Sequence, residues 1–448
     1  MKIAVKGPSI RLKKRTRISP IRYIQKWILI MWIPLLFLDI LGYTGKYLNV
    51  YTTLIDILFI LGVLFSSSLL SQNNNHVVGN DISIDDVIIN KITSGKLAKH
   101  VDSVTNMCGL VSLFGLVLLT YDRIVLKGID YSAGLRLARY QWLGSEVSTS
   151  IFGALGNMTI PFSYVCLFFG GYYFEDFKLR RKLIILLSGL GVPFLHAALN
   201  GGRMNLLVCM FYILGIFIMR RIDGKNFFPK FPKSIIVAVS IFAIYYIIKI
   251  FAESRSWSTL SVAEFTALQV DTLDGQCDRQ YTSNIINYLV QILSYMYHGK
   301  WLNGYMIHLP AEERYGLYSY LPIDGILSRF GINITFLQHN PEAIHGAFIN
   351  LPGSFYYDAG IIGVIVFPWV LGWILARRIY KYCYKNIRTP GSTFFTLFLI
   401  LYLISAPVAP FFHFGYVSFS VIAFFLVYLY LKKICRVNYL EKRLFYEK

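Results

Sequence analysis

The sequence predicts an all-α polytopic membrane protein with about ten transmembrane helices (range 10–12) and one large extracytoplasmic loop between the seventh and eighth spans. Three observations predict this. The chain is 55% hydrophobic with a mean hydropathy of +0.52, too apolar for a soluble chain of 448 residues. Its apolar residues gather in runs near the roughly 20 that a helix needs to cross a hydrocarbon core of about 30 Å. Its Lys and Arg residues concentrate in alternate loops, as the positive-inside rule requires of a multi-pass protein.

The runs fall at residues 24–42, 48–70, 104–121, 151–173, 183–200, 204–219, 234–252, 354–376, 394–412 and 415–431. Several contain proline (Pro34, Pro161, Pro193, Pro368, Pro407, Pro410), so their ends are the least certain feature. The resulting organisation is a basic tail at 1–23, a helical membrane region at 24–252, a large periplasmic loop at 253–352, a second helical membrane region at 353–432 and a basic tail at 433–448. The first 20 residues are too polar for a secretory signal, and the first apolar run lacks a small-residue cleavage site, so it is expected to be retained as a helix.

A net charge of +20 by itself suggests nucleic acid, but its distribution does not. With the termini and alternate loops on one side, the 44 Lys and Arg divide 32 to 12. The rich side holds the N-terminal tail, Lys178 to Lys182, Arg220 to Lys233, Arg377 to Arg388 and the C-terminal tail. Both termini are therefore expected to be cytoplasmic and the 253–352 loop to face the periplasm or an equivalent exterior, with no nucleic-acid partner and membrane lipid as the surroundings. The polar stretch 72–103 reads as a cytoplasmic connector.

The six cysteines show no metal-ligand spacing, and no P-loop, Ser-His-Asp signature or paired acidic motif is present; no cofactor, metal or disulfide is expected. Chemistry then falls to the outward segments. These hold eight arginines against four lysines, whereas the inward loops hold 13 against 19. Because the planar guanidinium binds two phosphate oxygens at once, an arginine bias on the side that disfavours positive charge points to an anionic ligand. Ordinary loop ion pairing is the alternative.

Arg203 is the sharpest of these, in Asn200-Gly201-Gly202-Arg203-Met204-Asn205 where a helix begins. Two glycines allow close backbone approach, and a helix N-terminus adds positive field. The other reading is an arginine that snorkels at a helix end. Arg255 follows the seventh span beside Glu253 and Trp257, and Arg136, Arg139 and Arg314 lie in outward segments. His345 sits just ahead of the eighth span, where a neutral imidazole can take a proton from a hydroxyl. Asp358 at the start of that apolar run is either a helix cap or a site acid. Gly360 and Gly363 read as helix-packing glycines, residues 283–298 as an amphipathic helix lying on the membrane or capping the bundle, and Asp56 as an intramembrane acid in need of a partner. Internal duplication, the mark of inverted-repeat transporters, is absent.

With ten or more helices, basic cytoplasmic loops and one dominant outward loop in the C-terminal half, the chain resembles the O-antigen polymerases of bacterial surface-polysaccharide assembly. Two stretches carry the resemblance: Gly201-Gly202-Arg203 opening a helix, and Tyr356-Tyr357-Asp358-Ala359-Gly360-Ile361-Ile362-Gly363 where the large loop re-enters the membrane. An arginine and a glycine with ten residues between them, a spacing shared with some members, occur at Arg123/Gly134 and Arg314/Gly325.

The resemblance implies a metal-independent glycosyltransferase that joins oligosaccharide repeat units carried on undecaprenyl pyrophosphate, with a flippase and a chain-length regulator as pathway partners. The residues agree with this, since arginines at the outer interface suit a leaving pyrophosphate: Arg203 and Arg255, supported by Arg136, Arg139 and Arg314, are the expected grips. His345 is the expected base, with Asp358 or Glu253 second. An O-antigen ligase and a lipid-linked oligosaccharide flippase are the competing expectations.

Overall fold

The computed structural model describes residues 19–40, 44–45, 50–74, 84–132, 138–139, 141, 150–200, 204–226, 275–276, 349–384, 390–413 and 415–446, together with positions 293, 296, 297, 299, 300, 303 and 307. It is an all-α polytopic membrane bundle, as expected, and among the described residues seven helices are long and apolar enough to cross a bilayer. The elements are α1 (Pro20–Ile40), α2 (Val50–Asn74), α3 (Ile84–Tyr121), α4 (Ile151–Thr159), α5 (Phe162–Tyr172), α6 (Leu179–Ile185), α7 (Val192–Leu199), α8 (Met204–Ile222), α9 (Leu351–Ile379), α10 (Pro390–Ile404) and α11 (Gly415–Tyr446). The candidate seventh span, 234–252, lies outside the described residues.

Where the helices depart from the sequence expectation, the cause is local. The expected span 151–173 is divided into α4 and α5 because Pro161 removes a donor at the joint. The span 183–200 is interrupted by a π-helical stretch at Leu186–Gly191, which contains two glycines and precedes Pro193. The span 394–412 stops being α-helical at Ile404, ahead of Pro407 and Pro410. Two polar segments are helical instead: the connector 72–103 is helix from Ile84, and the tail 433–448 continues α11 to Tyr446.

The helices are apolar all round, as membrane spans are, rather than striped. On α3, Met107, Leu110, Phe114 and Val117 are 61–66% exposed, a helical stripe that suits a lipid-facing surface. The opposite face packs inward. The interior has two seams. In one, α5, α8, α10 and α11 meet through rings: Tyr164 stacks on Tyr212 at 4.6 Å, and Phe424 contacts Phe168, Phe394 and Phe398 at 4.9–5.8 Å. Tyr212 shares a 2.5 Å hydrogen bond with Ser420.

In the other seam α2 and α9 run side by side in the same direction. Asp56 meets Asn350, Phe59 meets Phe355 with ring centroids 6.2 Å apart, and Gly62 meets Pro368. A Cβ on Gly372 would overlap Ser66 Oγ and lie 2.5 Å from the Val63 carbonyl oxygen, so the backbones touch here as small residues allow in membranes.

Two ends of the bundle follow. The basic end carries Arg181 on Asp102 at 3.0 Å, Arg220, and Arg377 and Arg378 in the last turn of α9. The far end carries the starts of α2, α4, α8 and α9 and a short antiparallel pairing of Thr44–Gly45 with Gly275–Gln276. That pairing puts the segment after α1 and the large loop at the same end. The chain leaves α8 at the basic end and enters α9 at the far end, the condition the seventh span is expected to meet.

Arg220 is more than a topology signal. It is fully buried, and its guanidinium donates to the carbonyls of Gly171 (2.9 Å), Tyr172 (3.0 Å) and Asn226 (3.1 Å) and to Glu175 (2.8 Å). It thereby satisfies the orphan carbonyls that end α5. Lys225 donates to the Tyr172 carbonyl at 3.0 Å as well, and Tyr382 donates to Asp223 at 3.0 Å. Arg220→Lys keeps the charge but loses the fork. It should lower the melting temperature of the purified protein by several degrees, a loss of about 2–4 kcal/mol, while leaving the insertion orientation read by a terminal reporter unchanged.

Candidate functional site

Two polar networks sit at the far end. The larger is built by α3, α4, α7 and α8. The helix of α3 runs on into one π-helical turn, Asp122–Leu126, and ends at Gly128, whose φ of +59° suits glycine. This turn points Asp122 and Arg123 inward, at 1% and 3% exposure. Asp122 accepts from the Ser150 hydroxyl, the same group that caps α4 by taking the Gly153 N–H at 3.0 Å. Lys127 Nζ lies 4.0 Å from Asp122 and Arg123 Nη1 3.9 Å from it, so one carboxylate faces two cations.

Arg123 Nη2 reaches across to Asn200 Oδ1 at 3.3 Å. Asn200 in turn contacts His196 Nε2 at 2.7 Å, Asn157 Oδ1 lies 3.3 Å from the same nitrogen, and Asn205 contacts Nδ1 at 2.8 Å. Tyr131 donates to the Leu199 carbonyl at 2.6 Å, at the end of α7. The hydroxyl and backbone N–H of Ser132 bond Asp130 and hold its exposed carboxyl below the usual range. Five amide, imidazole and guanidinium side chains thus tie the end of α7 to the start of α8 and to α3 and α4. A buried guanidinium in a membrane helix is costly and needs such partners.

The second network links α2, α9 and the large loop. Asn350 caps α9, accepting the Gly353 N–H at 2.9 Å and the Asn303 amide at 2.6 Å, and donates to Asp56 Oδ1 at 3.0 Å. Asp56, which sequence alone left without a partner, has one. The Leu351 N–H donates to the Ala406 carbonyl at 2.9 Å, so this corner also holds the irregular, buried stretch after α10. Non-helical backbone at membrane depth is tolerated where protein covers it in this way.

The described positions of the large loop bear on one expectation. Tyr297 donates to the Met31 carbonyl, eleven residues into α1, at 3.0 Å; Lys300 and Asn303 are buried; and Leu293, Met296 and Ile307 pack on the core. At these positions the loop packs against the bundle, the second of the two placements expected for 283–298, and described helical positions continue to 307.

Of the residues singled out from sequence, Arg139 is exposed in a short helical stretch. Asp358 is half-buried in α9, eight residues past Asn350, so it is not the cap at the start of that helix. Immediately after it α9 breaks: Ala359 is non-helical and Gly360 takes φ +59°, a backbone role in place of the packing role expected. Gly363 packs against the Phe355 carbonyl across that break. Glu253, Arg255, Arg136, Arg203, Arg314 and His345 lie outside the described residues; Asn200 and Asn205, on either side of 201–203, both belong to the first network.

Sequence reasoning missed His196, Asn157 and Asn205. The available signal was polar residues inside apolar runs, with His196 and Asn200 one helical turn apart. Among the described residues no group of His, Cys, Asp or Glu is placed to hold a metal ion. The chain matches no family model, no curated protein and no solved structure.

Asn350→Ala should lower the melting temperature through loss of both the cap and the Asp56 bond, about 2–4 kcal/mol together. Asn350→Ser, which keeps a capping oxygen, should recover part of this. Equal melting of both variants and the parent would contradict the network.

Proposed function

We propose that the protein is a membrane glycosyltransferase that polymerises undecaprenyl-pyrophosphate-linked oligosaccharide repeat units at the periplasmic face of the bacterial inner membrane, with both termini cytoplasmic. The observation that carries this reading is the buried Arg123 network at the far end. There two cations, Arg123 and Lys127, face one carboxylate, and Arg123 bonds Asn200, three residues ahead of Arg203 in the sequence. Excess positive charge on the side poorer in Lys and Arg suits a diphosphate held at the outer leaflet. The multi-pass bundle and the basic opposite end are what such a lipid substrate needs.

In this reading the acceptor hydroxyl attacks the anomeric carbon of the growing chain. The carbon–oxygen bond to the diphosphate breaks, and the electron pair leaves on the diphosphate. Arg203 and Arg255 stabilise that developing charge, with Arg136, Arg139 and Arg314 in support. His345 takes the hydroxyl proton, with Asp358 or Glu253 as the alternative base. Basic side chains serve where other glycosyltransferases use a metal. A flippase supplies the substrate, and a chain-length regulator is the natural partner.

A lipid-linked oligosaccharide transporter is the second reading, favoured by the break in α9 at Ala359–Gly360, since transporter sites gather at interrupted helices.

The test is a deletion strain complemented with wild type, Arg203→Ala, Arg255→Ala or His345→Ala and read as a surface-polysaccharide ladder. The deletion should leave single repeat units on the lipid core, and each variant should shorten or abolish the ladder, as a roughly 100-fold loss of transfer predicts. A bare core in the deletion would assign the protein as a ligase, and lipid-linked units trapped in the inner leaflet would make it a transporter. Normal ladders from well-expressed variants would remove the site residues.

A further inference from the structure

The proton count in the first network selects one arrangement. A guanidinium only donates, so Arg123 requires the Asn200 oxygen, which turns the Asn200 NH2 toward His196 Nε2 at 2.7 Å. Nε2 must therefore accept. A neutral imidazole that accepts on Nε2 carries its hydrogen on Nδ1, so the Asn205 amide, whose nitrogen lies 2.8 Å from Nδ1, must be turned over to present its oxygen there. The two orientations of a side-chain amide have the same shape, so only the partners distinguish them.

An imidazolium has no accepting nitrogen and would aim an N–H at an NH2 group that Arg123 holds in place. Asn157 donates to the Gly153 carbonyl at 2.9 Å and so turns its Oδ1, an acceptor, toward Nε2, but at 3.3 Å this contact is weaker than the 2.7 Å bond from Asn200 and does not reverse the choice. Tyr416 of α11 meets the ring edge-on with centroids 6.2 Å apart, and the charged groups behind Asn200 are Arg123, Asp122 and Lys127. His196 is 3% exposed and stands between α4, α8 and α11.

We propose that His196 is a positioning residue of the anion site: as the neutral Nδ1–H tautomer it fixes Asn200, and through Asn200 the Arg123 guanidinium, while Asn205 ties the start of α8 to the same ring. The proposal rests on the reading of the far end as a diphosphate site. Its logic is that of a ligand-orienting outer shell: one imidazole holds two amides whose own directions set the charge-bearing side chain. Because His196 is buried, it acts through these neighbours and does not touch substrate.

Glutamine and asparagine separate this role from simple space filling. His196→Gln carries its amide to the reach of Nε2, where it can take the Asn200 NH2. His196→Asn reaches only the Nδ1 position. The full-length protein, purified in nanodiscs, is assayed for thermal stabilisation by inorganic pyrophosphate and for turnover of the lipid-linked repeat unit.

Wild type should melt higher with pyrophosphate. His196→Asn and His196→Ala should lose that shift and about tenfold in kcat with little change in KM, the signature of an interaction used in the transition state. His196→Gln should keep the shift and most of kcat. Stabilisation of wild type with equal behaviour of the Gln and Asn variants would overturn the positioning role alone. No stabilisation of wild type would overturn the anion-site reading and this role with it.

Discussion

A polar group at membrane depth must find its partner within the protein, and the rest of this structure depends on that constraint. Several helix ends are answered by a named side chain or carbonyl. The end of α5 is closed by Arg220, the start of α4 by Ser150 and the start of α9 by Asn350. The irregular stretch after α10 takes the Leu351 N–H. Ser150 and Asn350 cap their own helices but also bond Asp122 and Asp56, and Arg220 reaches back to Gly171, so the same groups that satisfy the backbone also tie distant helices together. Asn350 shows this most clearly: as cap, acceptor and donor it joins α2, α9 and the large loop at one point.

The hydrophobic effect sorts side chains only weakly in such a bundle, because both lipid and core are apolar. Orientation is set instead by close backbone contact and by the polar networks. Gly372 against Val63 and Ser66 brings α2 and α9 together, and rings fill the seam between α5, α8, α10 and α11. The far end inherits a rigid floor from this packing, and the His196 network is assembled on that floor from four helices.

How legible this was in the sequence follows from the same physics. Apolar runs of bilayer length mark spans whatever their surroundings, so α2, α3 and α8 could be read directly. Helix ends beyond the membrane could not: α11 runs to Tyr446 through charged sequence that carries no hydropathy signal. Which of its two expected placements the segment around Tyr297 takes could not be read from its pattern, because an apolar face suits lipid and bundle equally; the bond from Tyr297 to the Met31 carbonyl is a contact across 266 residues. Gly360 looked like a packing glycine because a positive φ leaves no mark in spacing. The arginine bias was visible as a count, but its described focus, Arg123, was not singled out. Its partner Asn200 is 77 residues away, and no local pattern encodes that contact.

The central claim, that the far end receives a lipid diphosphate, is tested most directly by photocrosslinking in membranes. A benzoylphenylalanine is placed at Leu199 or, at the basic end, at Ile222, and a lipid-linked diphosphate oligosaccharide is supplied. The account predicts an ultraviolet-dependent adduct from position 199 and none from 222. Adducts from 222 alone would place the substrate at the opposite end of the bundle and contradict it.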